Sequence, residues 1–162
     1  MNNNSEWLEA DGLGGFAMGQ ASGVPSRKYH ALLTVASRPP LERTVLVNDV
    51  EATLHLNGQV IPLSSFMCES GIINPESRHR IESFQTEVFP TWVFRINEQL
   101  TLKHEIIVPR DSRMVVLTWS LSGPADNARL FIRPLLSGRN FHALHRANPY
   151  FSFEASCYGE TV

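Results

Sequence analysis

Leu54-His55-Leu56-Asn57-Gly58-Gln59-Val60-Ile61 holds two short runs separated by Asn57-Gly58. Asn and Gly are the residues best suited to positive φ, which a tight two-residue turn between antiparallel strands requires at both central positions. The stretch therefore predicts a β-hairpin. From Leu100 to Val108 the apolar Leu100, Leu102, Ile106 and Val108 share one face with His104, while Thr101, Lys103 and Glu105 take the other. A period of two marks a half-buried strand. In Met114 to Leu121, Val115, Leu117, Trp119 and Leu121 oppose Met114, Val116, Thr118 and Ser120, and this strand is expected to lie deeper.

Comparable runs predict strands at Phe16 to Ser22, Tyr29 to Ala36, Thr44 to Ala52, Arg80 to Val88, Trp92 to Asn97, Arg129 to Leu135 and Phe151 to Cys157. Helical periodicity is almost absent. Ser122 to Asn127 reads as a turn-rich break, and Cys68 to Arg78 as the long loop. Many short strands with frequent turns imply antiparallel sheets packed face to face, because a sheet with one apolar face must cover it with another layer. The expected fold is all-β, an antiparallel β-sandwich with little helix.

A chain of 162 residues, 43% hydrophobic and 19% charged, suffices for one substantial core, so residues 1–162 are read as a single domain. Lys and Arg number 14 against 16 acids, which offers no broad footprint for nucleic acid or anionic lipid. No run approaches the roughly 18 to 20 apolar residues of a membrane span, and the start has no basic region followed by an apolar one. A cytoplasmic protein with a neutral polar partner is expected. Cys68 and Cys157 are read as free thiols. No cofactor or metal is expected: His142 and His145, three residues apart, would need a third ligand to hold an ion.

Five of the 10 glycines fall between Gly12 and Gly23. Such density specifies backbone geometry. Because strand-like sequence follows Gly12-Leu13-Gly14-Gly15, and not a helix start, the segment reads as tight turns at a sheet edge and not as a phosphate cradle. Around it stand Glu6-Trp7-Leu8, Asp11, and Ser26-Arg27-Lys28-Tyr29-His30-Ala31.

Taken in order, these elements resemble the N-terminal motif of bacterial and archaeal glycogen debranching enzymes, where a Glu-Trp-Leu start leads through Gly-Leu-Gly-Gly-aromatic to a basic-basic-Tyr-His element. Pro39-Pro40, Arg43, Val45-Leu46, Arg133-Pro134-Leu135-Leu136 and Arg139-Asn140-Phe141-His142 extend the resemblance. It departs where the family commonly has Arg-Tyr-His-Gly, since Lys28 and Ala31 occupy the matching positions, and Lys lacks the planar fork of Arg. The resemblance implies a sandwich of the supersandwich type, preceding a C-terminal (α/α) barrel that carries the hydrolytic carboxylates. This chain has neither the length nor the periodicity of that barrel.

The chain is accordingly expected to be a non-catalytic part of an amylo-α-1,6-glucosidase type glycoside hydrolase, packing on the barrel and contacting α-glucan. A stand-alone carbohydrate-binding or interaction module is the alternative. No acid among the 16 is singled out as catalytic. Arg27, Lys28, Tyr29 and His30 are the leading contact candidates, since charged donors and an aromatic face suit hydroxyl-rich sugars, and their polar groups are expected to be unpaired at the surface. Trp7, Arg139 and His142 complete the set. Trp92 and Trp119 read as core.

Overall fold

The computed structural model describes residues 5–39, 41–146, 154 and 159. Ten strands run in order: β1 (Glu6–Ala10), β2 (Phe16–Gln20), β3 (Ala31–Arg38), β4 (Glu42–Leu56), β5 (Gln59–Pro62), β6 (Ile81–Gln85), β7 (Thr91–Arg95), β8 (Thr101–Ile107), β9 (Val116–Ser122) and β10 (Arg129–Asn140). A single 3-10 turn at Arg78–Arg80 is the helix among the described residues. The first sheet has the order β1-β2-β3-β4-β10, with β5 also on β4; the second has the order β6-β7-β8-β9. All described pairings are antiparallel. The fold is a β-sandwich.

Asn57 and Gly58 take φ of 51° and 78° and close the β4–β5 hairpin, with Leu56 opposite Gln59. Thr44 to Ala52 and Leu54 to Leu56, separate runs in the sequence reading, form one strand because Thr53 supplies no break. β4 therefore spans both halves of its sheet: its start pairs with β3, its end with β5, and β10 follows its other side. Leu135 lies opposite Asp49 and Leu136 opposite Val47, so a bulge at Asn48 interrupts the ladder. Bulges re-aim side chains. This one brings Asn48 against Arg139.

Buried Trp7, Ala17, Leu32, Val50, Ala52, Leu54 and Ile61 from the first sheet meet Trp92, Phe94, Leu100, Leu102 and Ile106 from the second. Each fully buried leucine here contributes about 1.5 to 3 kcal/mol. A buried inter-sheet hydrogen bond, Trp92 Nε1 to the Ala21 carbonyl at 2.9 Å, fixes how the layers register.

The structure corrects some strand expectations. β9 begins at Val116 and is partly exposed, not deep, because it pairs with β8 alone and ends its sheet. Of the face expected to be apolar, Val115, Leu117 and Trp119 pack on the core, while Leu121 is exposed. β1 was not foreseen. Its five residues alternate only weakly, and pairing with β2 makes them a strand. Tyr29 lies in a turn before β3, and β10 runs past Leu135 to Asn140. Phe151 to Cys157 falls outside the described residues, except Glu154.

Candidate functional site

The Gly-rich segment connects β1 to β2. Asp11 organises it: its Oδ1 accepts from the backbone N–H groups of Leu13 at 2.7 Å and Gly15 at 2.8 Å, an arrangement typical of Asp in turns. Gly12 and Gly14 take positive φ, and a Cβ on Gly15 would lie 2.5 Å from the Thr34 carbonyl oxygen. The glycines thus admit a close turn. They leave no anion cradle on a helix end.

Arg27, Lys28, Tyr29 and His30 form the turn that leads into β3, closed by a bond from the His30 N–H to the Arg27 carbonyl at 3.0 Å. Arg27 reaches Glu6 on β1 through Nη1, 3.0 Å from Oε1 and 2.8 Å from Oε2. His30 is buried, its side chain only 2% exposed. Its Nδ1 accepts from the Ser26 N–H at 3.1 Å, which leaves Nε2 to donate to Glu6 Oε1, also at 3.1 Å. The hydrogen bond from Arg27 holds the Glu6 carboxyl below its ordinary pKa, opposed by desolvation and helped to a smaller extent by the bond from His30.

The other half of the cluster comes from the end of β10. Lys28 Nζ donates to the His142 carbonyl at 2.9 Å, and the Tyr29 hydroxyl is 3.1 Å from His142 Nδ1. Arg139 is 5% exposed and anchors the junction. Its guanidinium donates to Asn48 Oδ1 at 3.1 Å and to the carbonyls of Ala143 at 3.0 Å and Lys28 at 2.6 Å. Burial lowers the Arg139 pKa. Phe141 packs beside Tyr29 and under the Arg43 guanidinium, and Arg43 Nε donates to the Gly14 carbonyl at 2.6 Å.

Six of the seven candidate residues thus meet in one cluster, and Trp7 lies apart in the buried core. The expectation of unpaired donors is corrected. Arg27, Lys28, Tyr29 and His30 each have a partner, because the turn is drawn between β1 and the end of β10. Glu6 was missed as a site residue, although it stands in the same motif and is the acceptor shared by Arg27 and His30.

A family comparison decides what this cluster belongs to. The description "Glycogen debranching enzyme N terminal" matches residues 5–161. The chain belongs to that family. No curated protein and no solved structure matches it. The Glu6, Arg27 to His30 and Arg139 to His142 segments, distant in sequence, therefore sit together in a glycogen debranching enzyme N-terminal domain.

Beside the cluster, a cavity of about 90 Å³ opens between the two sheets. Trp7, Trp92, Trp119, Phe94 and Ile106 make much of its wall, with His30, Asp49 and His104 among the polar residues. Asp49 accepts from the adjacent Val50 N–H at 2.7 Å, and no ion pair among the described residues involves it. Desolvation pushes its carboxyl up to about 7, with the Val50 bond opposing weakly. His104 lies between Trp92 and Trp119, with ring centroids 5.7 and 4.6 Å away and planes nearly parallel. Because a carbonyl only accepts, His104 Nδ1 donates to the Thr118 oxygen at 3.0 Å. Desolvation lowers this imidazole to about 4, so it is neutral at pH 7.

The sequence reading did not single out Asp49 or His104. Their signals were an acid inside the strand run Thr44 to Ala52 and a histidine on the apolar face of Leu100 to Val108. Among the described residues no group of three or more His, Cys, Asp or Glu could hold a metal ion, and no helix is long and apolar enough to cross a membrane. Cys68 is a free, exposed thiol.

Proposed function

We propose that this chain is the non-catalytic N-terminal domain of a cytoplasmic α-1,6-glucosidase type enzyme, seated on a C-terminal helical barrel that carries the hydrolytic carboxylates. The face bearing Arg27, Lys28, Tyr29 and His142 makes the contact with the barrel, and α-glucan passes beside it.

One observation carries this reading: a polar and aromatic surface held rigid from below by buried Arg139. Arg27 is 53% exposed, yet its guanidinium is already oriented by Glu6. Pre-oriented side chains lose little freedom on binding, so such a surface favours a defined partner. The carboxylates support the non-catalytic assignment. Glycosidases pair a protonated acid with a second carboxyl roughly 5 to 9.5 Å away. Asp49 is the described acid with a raised pKa, and no other described carboxylate lines its cavity.

The test is to incubate the purified chain with branched dextrin and measure released glucose. No release is expected. Release that disappears on replacing one of the chain's own carboxylates would overturn the proposal.

A further inference from the structure

The cavity between the sheets combines groups that seldom share a wall. Asp49 projects from β4 of the first sheet with a single partner, the backbone N–H of its own neighbour. Among the described residues its other oxygen has no hydrogen-bond partner, and it is not one of the sealed, unsatisfied atoms, so it stays accessible. Opposite, from β8 of the second sheet, His104 has its Nδ1–H committed to Thr118. Its Nε2 therefore presents a lone pair, also without a partner among the described residues and also not sealed. The remaining titratable group on the described wall is His30, whose ring nitrogens are both engaged. Three indoles, Phe94 and aliphatic side chains such as Leu32 and Ile106 make up most of the remaining lining, with Gln20, Asn48 and Ser64 as its uncharged polar side chains.

Such a wall selects by charge. An anion would meet a carboxyl and a bare lone pair, and no Lys or Arg among the described lining residues. A sugar would strand most of its hydroxyls against indole and aliphatic surface, because Asn48 Oδ1 is already taken by Arg139 and the Ser64 hydroxyl by the Ala52 N–H and the Val50 carbonyl. A metal ion would find too few ligands. A substituted ammonium ion gains from every element: a counter-charge in Asp49, a lone pair in His104 and the electron-rich surfaces of the aromatic rings. We propose that the cavity is a binding site for a small organic cation of the substituted-ammonium class, with Asp49 as its counter-ion.

The test uses the whole chain, with choline as the probe and 3,3-dimethyl-1-butanol, its uncharged isostere, as the control. Binding is followed by tryptophan fluorescence at pH 8. Choline should bind saturably and at least tenfold more tightly than the alcohol. Asn in place of Asp49 should remove at least nine-tenths of the choline affinity and leave the alcohol's unchanged.

Choline affinity of the unaltered chain should also rise as pH increases from 6 to 8, because the cation needs the ionised carboxylate. That titration decides the matter if Asp49→Asn does not fold. Equal affinities for the two compounds, no saturable choline response, or affinity independent of pH would each overturn the proposal. None of these results bears on docking with the barrel.

Discussion

Arg139 and Lys28 lie 111 positions apart in sequence and are joined by a 2.6 Å hydrogen bond from the Arg139 guanidinium to the Lys28 carbonyl. The bond ties the turn before β3 to the end of β10, and the same guanidinium holds Asn48 and Ala143. Removing the side chain strands three part-buried acceptors at once, each worth about 1 kcal/mol or more when unsatisfied. Arg139→Ala is expected to lower stability by about 3 kcal/mol or more, measured by urea denaturation. Arg139→Lys should recover less than half of that loss, because an ammonium cannot span the same fork of acceptors.

Glu6 binds two residues of very different exposure, and the two should respond differently to truncation. Arg27 is solvated and makes a surface ion pair, typically worth 0 to about 1 kcal/mol. Arg27→Ala should shift the thermal midpoint by no more than about 3 °C. His30→Ala, which opens a buried space and strands the Ser26 N–H, should lower it by at least twice as much.

The fold was legible in particular residues. Asn57-Gly58 gave its turn because the geometry is local, and the inward face of β8 followed from alternation. What failed depended on layers the sequence does not order. The pattern at Met114 to Leu121 reveals which side chains share a face but not that β9 ends its sheet. The site behaved the same way: resemblance grouped Arg27 to His30 with Arg139 and His142, while the Arg139 to Asn48 bond beneath them arises at a bulge that has no local signature. The cavity was illegible because Asp49 and His104 belong to opposite sheets.

Two glycines separate steric from conformational constraint. Gly15 has no room for a Cβ, which would overlap Asp11 Oδ2 and the Thr34 carbonyl, so Gly15→Ala should destabilise by at least about 2 kcal/mol. Gly58 has open space but φ of +78°, and Gly58→Ala should lose only about 1 to 2 kcal/mol, the strain of a left-handed alanine. Denaturant midpoints of the two variants check the order.

Asp49 and His104 make opposite contributions to stability against pH. With its pKa raised to about 7, folded Asp49 keeps a proton that the unfolded chain has released, so stability falls as pH rises from about 4 to 7. With its pKa lowered to about 4, folded His104 lacks a proton that the unfolded chain binds below about 6.5, so stability rises over nearly the same window. Between pH 4.5 and 6 the two effects should largely cancel. Asp49→Asn should leave a stability that climbs with pH across that window, and His104→Phe one that declines. Thermal melts at half-unit steps will show whether the slopes have these signs.

The central claim is that the Arg27 to His142 face seats this domain on its catalytic partner. The direct measurement is sedimentation of the chain mixed with the separately expressed helical barrel of a glycogen debranching enzyme of this family. Lys28→Glu serves as the probe, since an exposed substitution of this kind should change stability by only about 0.5 to 1 kcal/mol. The account predicts a one-to-one complex for the unaltered chain and at least tenfold weaker association for Lys28→Glu, with the melting midpoint shifted by no more than about 4 °C. Absence of any complex, or equal association by both forms, would contradict it.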